Sequence, residues 1–188
     1  MQLCFQGRLI WPSQSCTVHK QAPGRTVRHH HLTDVIARPL ASAGVPVSKK
    51  PSGLSRLDGK RPDGLTLIPW RAGRSLIWNV TVLCTTADFY LEACSREAGA
   101  AAELAASNKV VKYAGLSSQD EFVPIAVESH APINRDAIQF LSELSRRLVE
   151  MTRDVRASSF LFQRISVVVQ RFNSVLLHDG FIDDDRPE

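Results

Sequence analysis

The 188-residue chain is 44% apolar and 22% charged, the balance of one globular domain with some length left for tails. It has no uncharged apolar run of about 18 residues, which excludes a helix spanning a membrane. The net charge of +4 is unevenly spread: residues 1–75 hold 12 Lys and Arg against 3 Asp and Glu, whereas residues 76–188 hold 11 against 16. A basic first half suits a polyanionic partner such as DNA or RNA, or it is simply a solvated surface.

Residues 1–24 lack periodicity and read as an irregular leader. Their opening stretch has only Arg8 as a charge and no small-residue cleavage site, so the expected location is intracellular. Cys4, Cys16, Cys84 and Cys94 show no paired spacing, which predicts isolated thiols. Cys16 and His19 lie at a zinc-ligand interval, but no second pair sits at zinc-finger distance.

From 25 to 43, Val27, Leu32, Val35, Ile36 and Leu40 predict an amphipathic helix that Pro39 bends or shortens. His29, His30 and His31 diverge around such a helix and cannot converge on one ion, while His30 and Asp34 lie one turn apart. Residues 45–50 read as an edge strand. Residues 65–70 and 76–82 read as two more strands, joined by a hairpin loop at 71–74. An alanine-rich helix is predicted over 87–116, with Gly99 a weak point costing about 1 kcal/mol.

Residues 122–127 form a further expected strand, in which Pro124 favours an edge or a bulge. Asn134 is a plausible cap for a helix carrying Ala137, Ile138, Leu141, Leu144 and Leu148. Ser158 or Ser159 would cap another carrying Phe162, Ile165, Val169 and Phe172. The tail, 179–188, is acidic and expected to be disordered. The order predicts an α/β fold: a three-strand meander, a crossover helix and a fourth strand, in one mixed sheet flanked by helices.

Four residues stand out chemically. Asp63, just before an apolar strand, is either a turn residue or an oxygen ligand for Mg²⁺. Asn79 is the polar residue of its strand, on the face of Ile77 and Thr81. It is either hydrogen-bonded or a ligand. Lys109 and Lys112 share a face near a helix C-terminus, where they complement the dipole or steady charge on a phosphate.

These residues sit inside longer stretches: Arg28-His29-His30-His31, Asp58-Gly59-Lys60-Arg61-Pro62-Asp63-Gly64, Trp78-Asn79-Val80-Thr81-Val82 and Lys109-Val110-Val111-Lys112-Tyr113. Together they resemble the restriction-like endonuclease domain of non-LTR retrotransposon polyproteins, a branch of the PD-(D/E)xK superfamily, over roughly residues 22–181. The resemblance implies a core of helix, three strands, helix and strand, which with the two extra C-terminal helices makes an endonuclease-like domain over 25–178. It implies Asp63 and Asn79 as ligands of Mg²⁺, and Lys109 and Lys112 as the catalytic lysines. Arg28, Asp34 and Tyr113 would be auxiliary. Apart from the resemblance, the basic segment with Arg56, Lys60, Arg61, Arg71 and Arg74 is the candidate contact for nucleic acid.

The implied activity is nicking of target DNA to prime reverse transcription. DNA is then the partner, with retrotransposon RNA or a separately encoded reverse transcriptase, and the location is nuclear. The family pattern has Asp where Asn79 stands, which implies weak or absent cleavage, or a nucleic-acid-binding remnant. Cys16 and His19 would be traces of a zinc knuckle.

Overall fold

The structure is a computed structural model that describes residues 23–55, 59–85, 87–115, 120–130 and 132–182. In chain order the elements are α1 (Pro23–Ser42), β1 (Val47–Lys49), β2 (Gly64–Thr66), β3 (Leu76–Leu83), α2 (Asp88–Arg96), α3 (Ala100–Tyr113), β4 (Glu121–Glu128), α4 (Arg135–Thr152) and α5 (Ala157–Ile182). The strands form one sheet in the order β1-β2-β3-β4. The first two pairings are antiparallel and β3–β4 is parallel, so the chain between them must cross over, which α2 and α3 do. The expected α/β class and mixed sheet are those observed. Pro124 lies on the edge strand β4, where a missing N–H is tolerated.

Strand alternation divides the core between the two faces. Trp78 and Val80 of β3 with Val123, Ile125 and Val127 of β4 pack against Leu32, Ile36 and Leu40 of α1, Leu141 and Leu144 of α4, and Ile165 and Val169 of α5. On the other face Leu83 and Ala126 meet Ala101, Ala102, Ala105 and Ala106, whose small side chains let α3 lie close to the sheet.

Local signals placed the elements better than their ends. The alanine-rich helix is two helices, separated at residues 97–99, with Gly99 in the left-handed region at φ 91°. Gly99 has no side chain to cap α3, and Glu128 of β4 does so from across the fold, accepting the Ala102 N–H at 3.1 Å. Asn134 occupies the N-cap position of α4 but makes no cap hydrogen bond. Its Oδ1 accepts the Ala126 N–H at 2.8 Å, and Glu103 takes over at α4 by accepting the Arg135 N–H at 2.6 Å. At α5 the N-cap position is Arg156, whose carbonyl accepts the Phe160 N–H at 2.9 Å and whose own N–H Asp154 accepts at 2.9 Å, while Ser158 and Ser159 already lie in the first turn.

β2 is shorter than expected because Leu67 and Ile68 turn outward while Trp70 turns into the core. There the Arg147 guanidinium lies 3.7 Å from the Trp70 ring centroid and donates to its carbonyl at 2.8 Å. Pro39 lies inside α1, which continues to Ser42. Cys94 is a free thiol, but Cys84 is disulfide-bonded, so the expectation of four isolated thiols fails there. Cys16 and His19 lie outside the described residues. Residues 179–182 of the expected disordered tail belong to α5. Among the described residues, no helix is long and apolar enough to cross a membrane.

Glu143 gives the fold an acid-sensitive contact. A hydrogen bond from Arg146, then one from Arg147, pulls its pKa from 4.5 down to about 2. A depressed folded pKa means the stabilisation is complete above pH 4.5 and disappears as pH falls toward 2. Glu143→Gln is therefore expected to flatten the acid limb of a stability-versus-pH curve in that window. Superimposable limbs for variant and wild type would remove Glu143 from the account.

Candidate functional site

Asp63 immediately precedes β2, and its N–H donates to the Trp78 carbonyl at 3.0 Å, carrying the β2–β3 ladder one step further. The ladder then stops, and among the described residues no strand pairs with β3 at the Val80 N–H. A buried backbone donor needs an acceptor. Asp63 Oδ2 supplies it at 2.7 Å, and the same oxygen accepts Asn79 Nδ2 at 2.8 Å. His29 Nε2 of α1 lies 3.1 Å from that oxygen and donates to it in the Nε2–H tautomer. Asp63 and Asn79, sixteen residues apart, are each only 5% exposed.

This cluster joins two residues singled out from sequence and adds His29, which the sequence presents only within a histidine triplet. His29 rather than Asp34 is the α1 residue that reaches Asp63. Five helical residues turn the chain through about 500°, so side chains at 29 and 34 point about 140° apart. Asp34 instead accepts a hydrogen bond from Lys49 of β1 at 2.7 Å, the main cause of its lowered pKa. The remaining histidines diverge as expected: His30 lies 3.3 Å from Lys50 Nζ, and the His31 ring lies 4.9 Å from that of Phe172.

Two oxygens on the same face of β3, Asn79 Oδ1 and Thr81 Oγ1, are buried without hydrogen-bond partners. The orphaned Asn79 carbonyl beside the Asp63 carboxylate is the donor set that a hard, oxygen-preferring cation would use. Its charge is a single negative one, and Asp63 Oδ2 already accepts from as many as three donors. Among the described residues no group of three or more His, Cys, Asp or Glu gathers around a metal position. Two oxygens and one negative charge make a sparse donor set for such an ion.

α3 is tied to the segment leading into Asp63. The buried Tyr113 donates its hydroxyl to the Arg61 carbonyl at 3.3 Å, and its ring stacks on Phe122 with centroids 5.0 Å apart. Lys109 Nζ lies 5.9 Å from the Tyr113 ring centroid, and Lys112 follows one turn later on the same helix. Lys60 and Arg61 are exposed on that segment. Arg71 pairs with Glu121 at the start of β4 and Arg74 is exposed on the same turn, at the far end of β3 from Val82. Arg56 lies outside the described residues.

Arg28, by contrast, is buried. Its Nη1 donates to Asn173 Oδ1 of α5 at 2.8 Å, and its Nε has no partner. Burial, with a smaller repulsion from Arg25, lowers its pKa to about 10. Arg25, Arg28 and His29 of α1 and residues Val80, Thr81, Val82 and Cys84 line a cavity of about 290 Å³ beside β3.

The geometry makes Asp63 structural as well as chemical. Asp63→Ala would leave the Val80 N–H and the Asn79 amide buried without an acceptor, and about 3 kcal/mol of stability should be lost. Denaturant unfolding checks this, and a loss below about 1 kcal/mol would mean that water replaces the carboxylate freely. No protein-family model matches this chain, and no curated protein matches it either.

Proposed function

We propose that this chain is a DNA endonuclease domain of the PD-(D/E)xK kind, of retrotransposon ancestry, with a cleavage centre weakened by Asn79. The observation that carries the reading is the meeting of Asp63 and Asn79 on neighbouring strands, at 2.8 Å, on a sheet built in the order helix, three strands, helical crossover, strand. The antiparallel β2–β3 pairing supports the reading because it brings one strand-edge carboxylate and one mid-strand amide together.

In this reading Asp63 and the Asn79 carbonyl oxygen would hold Mg²⁺, and the ion, when bound, supplies positive charge to a phosphodiester. His29 from α1 and the Val80 N–H from β3 fix the carboxylate. Lys109 or Lys112 would steady an attacking water and the charge growing on phosphate. Lys60 and Arg61 would draw the DNA backbone to this edge, and Arg71 and Arg74 would extend the contact. Retrotransposon RNA or a separately encoded reverse transcriptase would be the further partners, in the nucleus.

The test is Mg²⁺-dependent nicking of supercoiled DNA by wild type and by Asn79→Asp. Faster nicking by the variant, lost in EDTA, is the expected result. Wild type cleaving as fast as the variant would refute the weakening by Asn79. A second reading, binding without cleavage, is favoured by the crowding of donors on Asp63 Oδ2. It expects DNA binding that falls steeply with salt and is indifferent to Mg²⁺.

A further inference from the structure

Lys50 is the residue after β1, and it stands opposite Asp63. Its N–H donates to the Asp63 carbonyl at 2.9 Å, one step beyond the Lys49–Gly64 pair. Helix α1 meets both members of this pair with consecutive histidines. His29 Nε2 lies 3.1 Å from Asp63 Oδ2, and His30 Nε2 lies 3.3 Å from Lys50 Nζ. Asp63 is buried, whereas His30 and Lys50 are exposed, so this second contact lies on the solvent side of the Asp63 centre.

Two features set Lys50 apart from an ordinary surface lysine. Its φ is 48°, in the left-handed region that residues with a Cβ rarely adopt, and Pro51 restricts it further. Glycine or asparagine would hold that turn with less strain, and strain of this kind gathers at functional sites. The second feature is its charge. An edge-strand lysine ordinarily guards against strand addition, and Lys49, paired with Asp34 at 2.7 Å, serves that purpose.

Among the described residues no carboxylate pairs with Lys50. The atom it meets is a histidine nitrogen, which accepts from it in the Nδ1–H tautomer. Two exposed nitrogens this close can both donate to one oxygen of an anion, once the ring takes the Nε2–H form.

We propose that Lys50 and His30 clamp a backbone phosphate of DNA, next to the one held at the Asp63 centre, and act there as positioning residues. The inference rests on the endonuclease reading and adds two contacts outside the metal centre. A phosphate oxygen accepting from Lys50 Nζ and His30 Nε2 gives Lys50 an anionic partner. The main-chain bond from Lys50 to Asp63 then holds the gripped strand in register with the carboxylate. Such a contact positions the DNA and carries no sequence information. Lys60 and Arg61, exposed on the segment leading into Asp63, continue the basic surface.

The test is DNA binding by fluorescence anisotropy over a range of salt, with thermal unfolding alongside, for wild type, Lys50→Gly, Lys50→Arg and His30→Leu. Lys50→Gly relieves the backbone strain, so its Tm should be unchanged or higher. Its DNA binding should nevertheless weaken roughly fivefold to tenfold near 0.1 M salt, with the salt slope reduced by about 1. Lys50→Arg keeps the charge and should stay within about twofold of wild type. His30→Leu leaves the lysine in place and should still weaken DNA by about fivefold, which a diffuse electrostatic role for Lys50 would not produce.

Wild-type affinity in Lys50→Gly or in His30→Leu would overturn the clamp and leave the endonuclease reading standing. No DNA binding by wild type would overturn both. Weakened binding by both variants, with no nicking by Asn79→Asp, would refute the cleavage and keep the clamp as a DNA contact.

Discussion

Asn79→Asp is expected to lower the stability of the metal-free protein at neutral pH by about 3 kcal/mol, and millimolar Mg²⁺ should restore most of it. In the wild type Asn79 donates to Asp63 Oδ2 at 2.8 Å, at a place where both residues are 5% exposed. An aspartate there has no proton to donate, so two carboxylates face each other in a poorly solvated pocket. One of them must then hold a proton to a higher pH than its ordinary value of about 3.9. A folded pKa above the unfolded one favours folding at low pH and forfeits that advantage as pH rises through the gap.

The variant should therefore match wild type near pH 4 and fall progressively below it toward pH 8. Mg²⁺ removes the repulsion by binding both carboxylates, and its effect on wild type should be small because only one negative charge is present. Thermal unfolding at several pH values, with EDTA or Mg²⁺, measures all of this. A variant as stable as wild type at pH 8 in EDTA would show that the pair is too hydrated to act as a metal site.

Gly64→Ala should be as damaging, by at least about 3 kcal/mol, although it adds a single methyl group. A Cβ at position 64 would stand 1.9 Å from Cζ2 of Trp78, far inside contact distance. Trp78 is fully buried against the main core and has nowhere to move, so β2 would have to leave β3. Asp63 is the residue before Gly64, and its hold on Val80 would be lost with the strand pairing. Amide exchange should accordingly quicken at Asp63 and Val80 together. Fast exchange confined to residue 64 would show that the methyl group is accommodated locally. The glycine in the Pro62-Asp63-Gly64 stretch thus has a packing reason that is independent of any chemistry.

How far the sequence went can be judged element by element. Alternation in residues 76–82 and helical spacing in α1, α4 and α5 are local properties, and they named the strands, the helices and the faces that pack. The mixed sheet followed, because a meander and then a crossover helix leave a parallel pair as the natural outcome. The polar Asn79 in an apolar strand had to find a partner, and Asp63 at the start of the neighbouring strand was within reach.

Other features required the assembled fold. Whether His29 or Asp34 meets Asp63 depends on the rotation of α1 about its own axis, set by Leu32, Ile36 and Leu40 entering the core. Asn134 abandons its helix cap because the Ala126 N–H lies closer to hand, and Glu103 and Glu128 then cap helices to which they do not belong. Nothing in the sequence marks Arg28 as buried. Its burial arises where α1 packs on α5, a long-range event. Sequence determined what each segment wants to be, because periodicity and turn chemistry are local. Only the tertiary structure decided which donors meet which acceptors, because that choice is made between segments up to 145 residues apart, as Arg28 and Asn173 are.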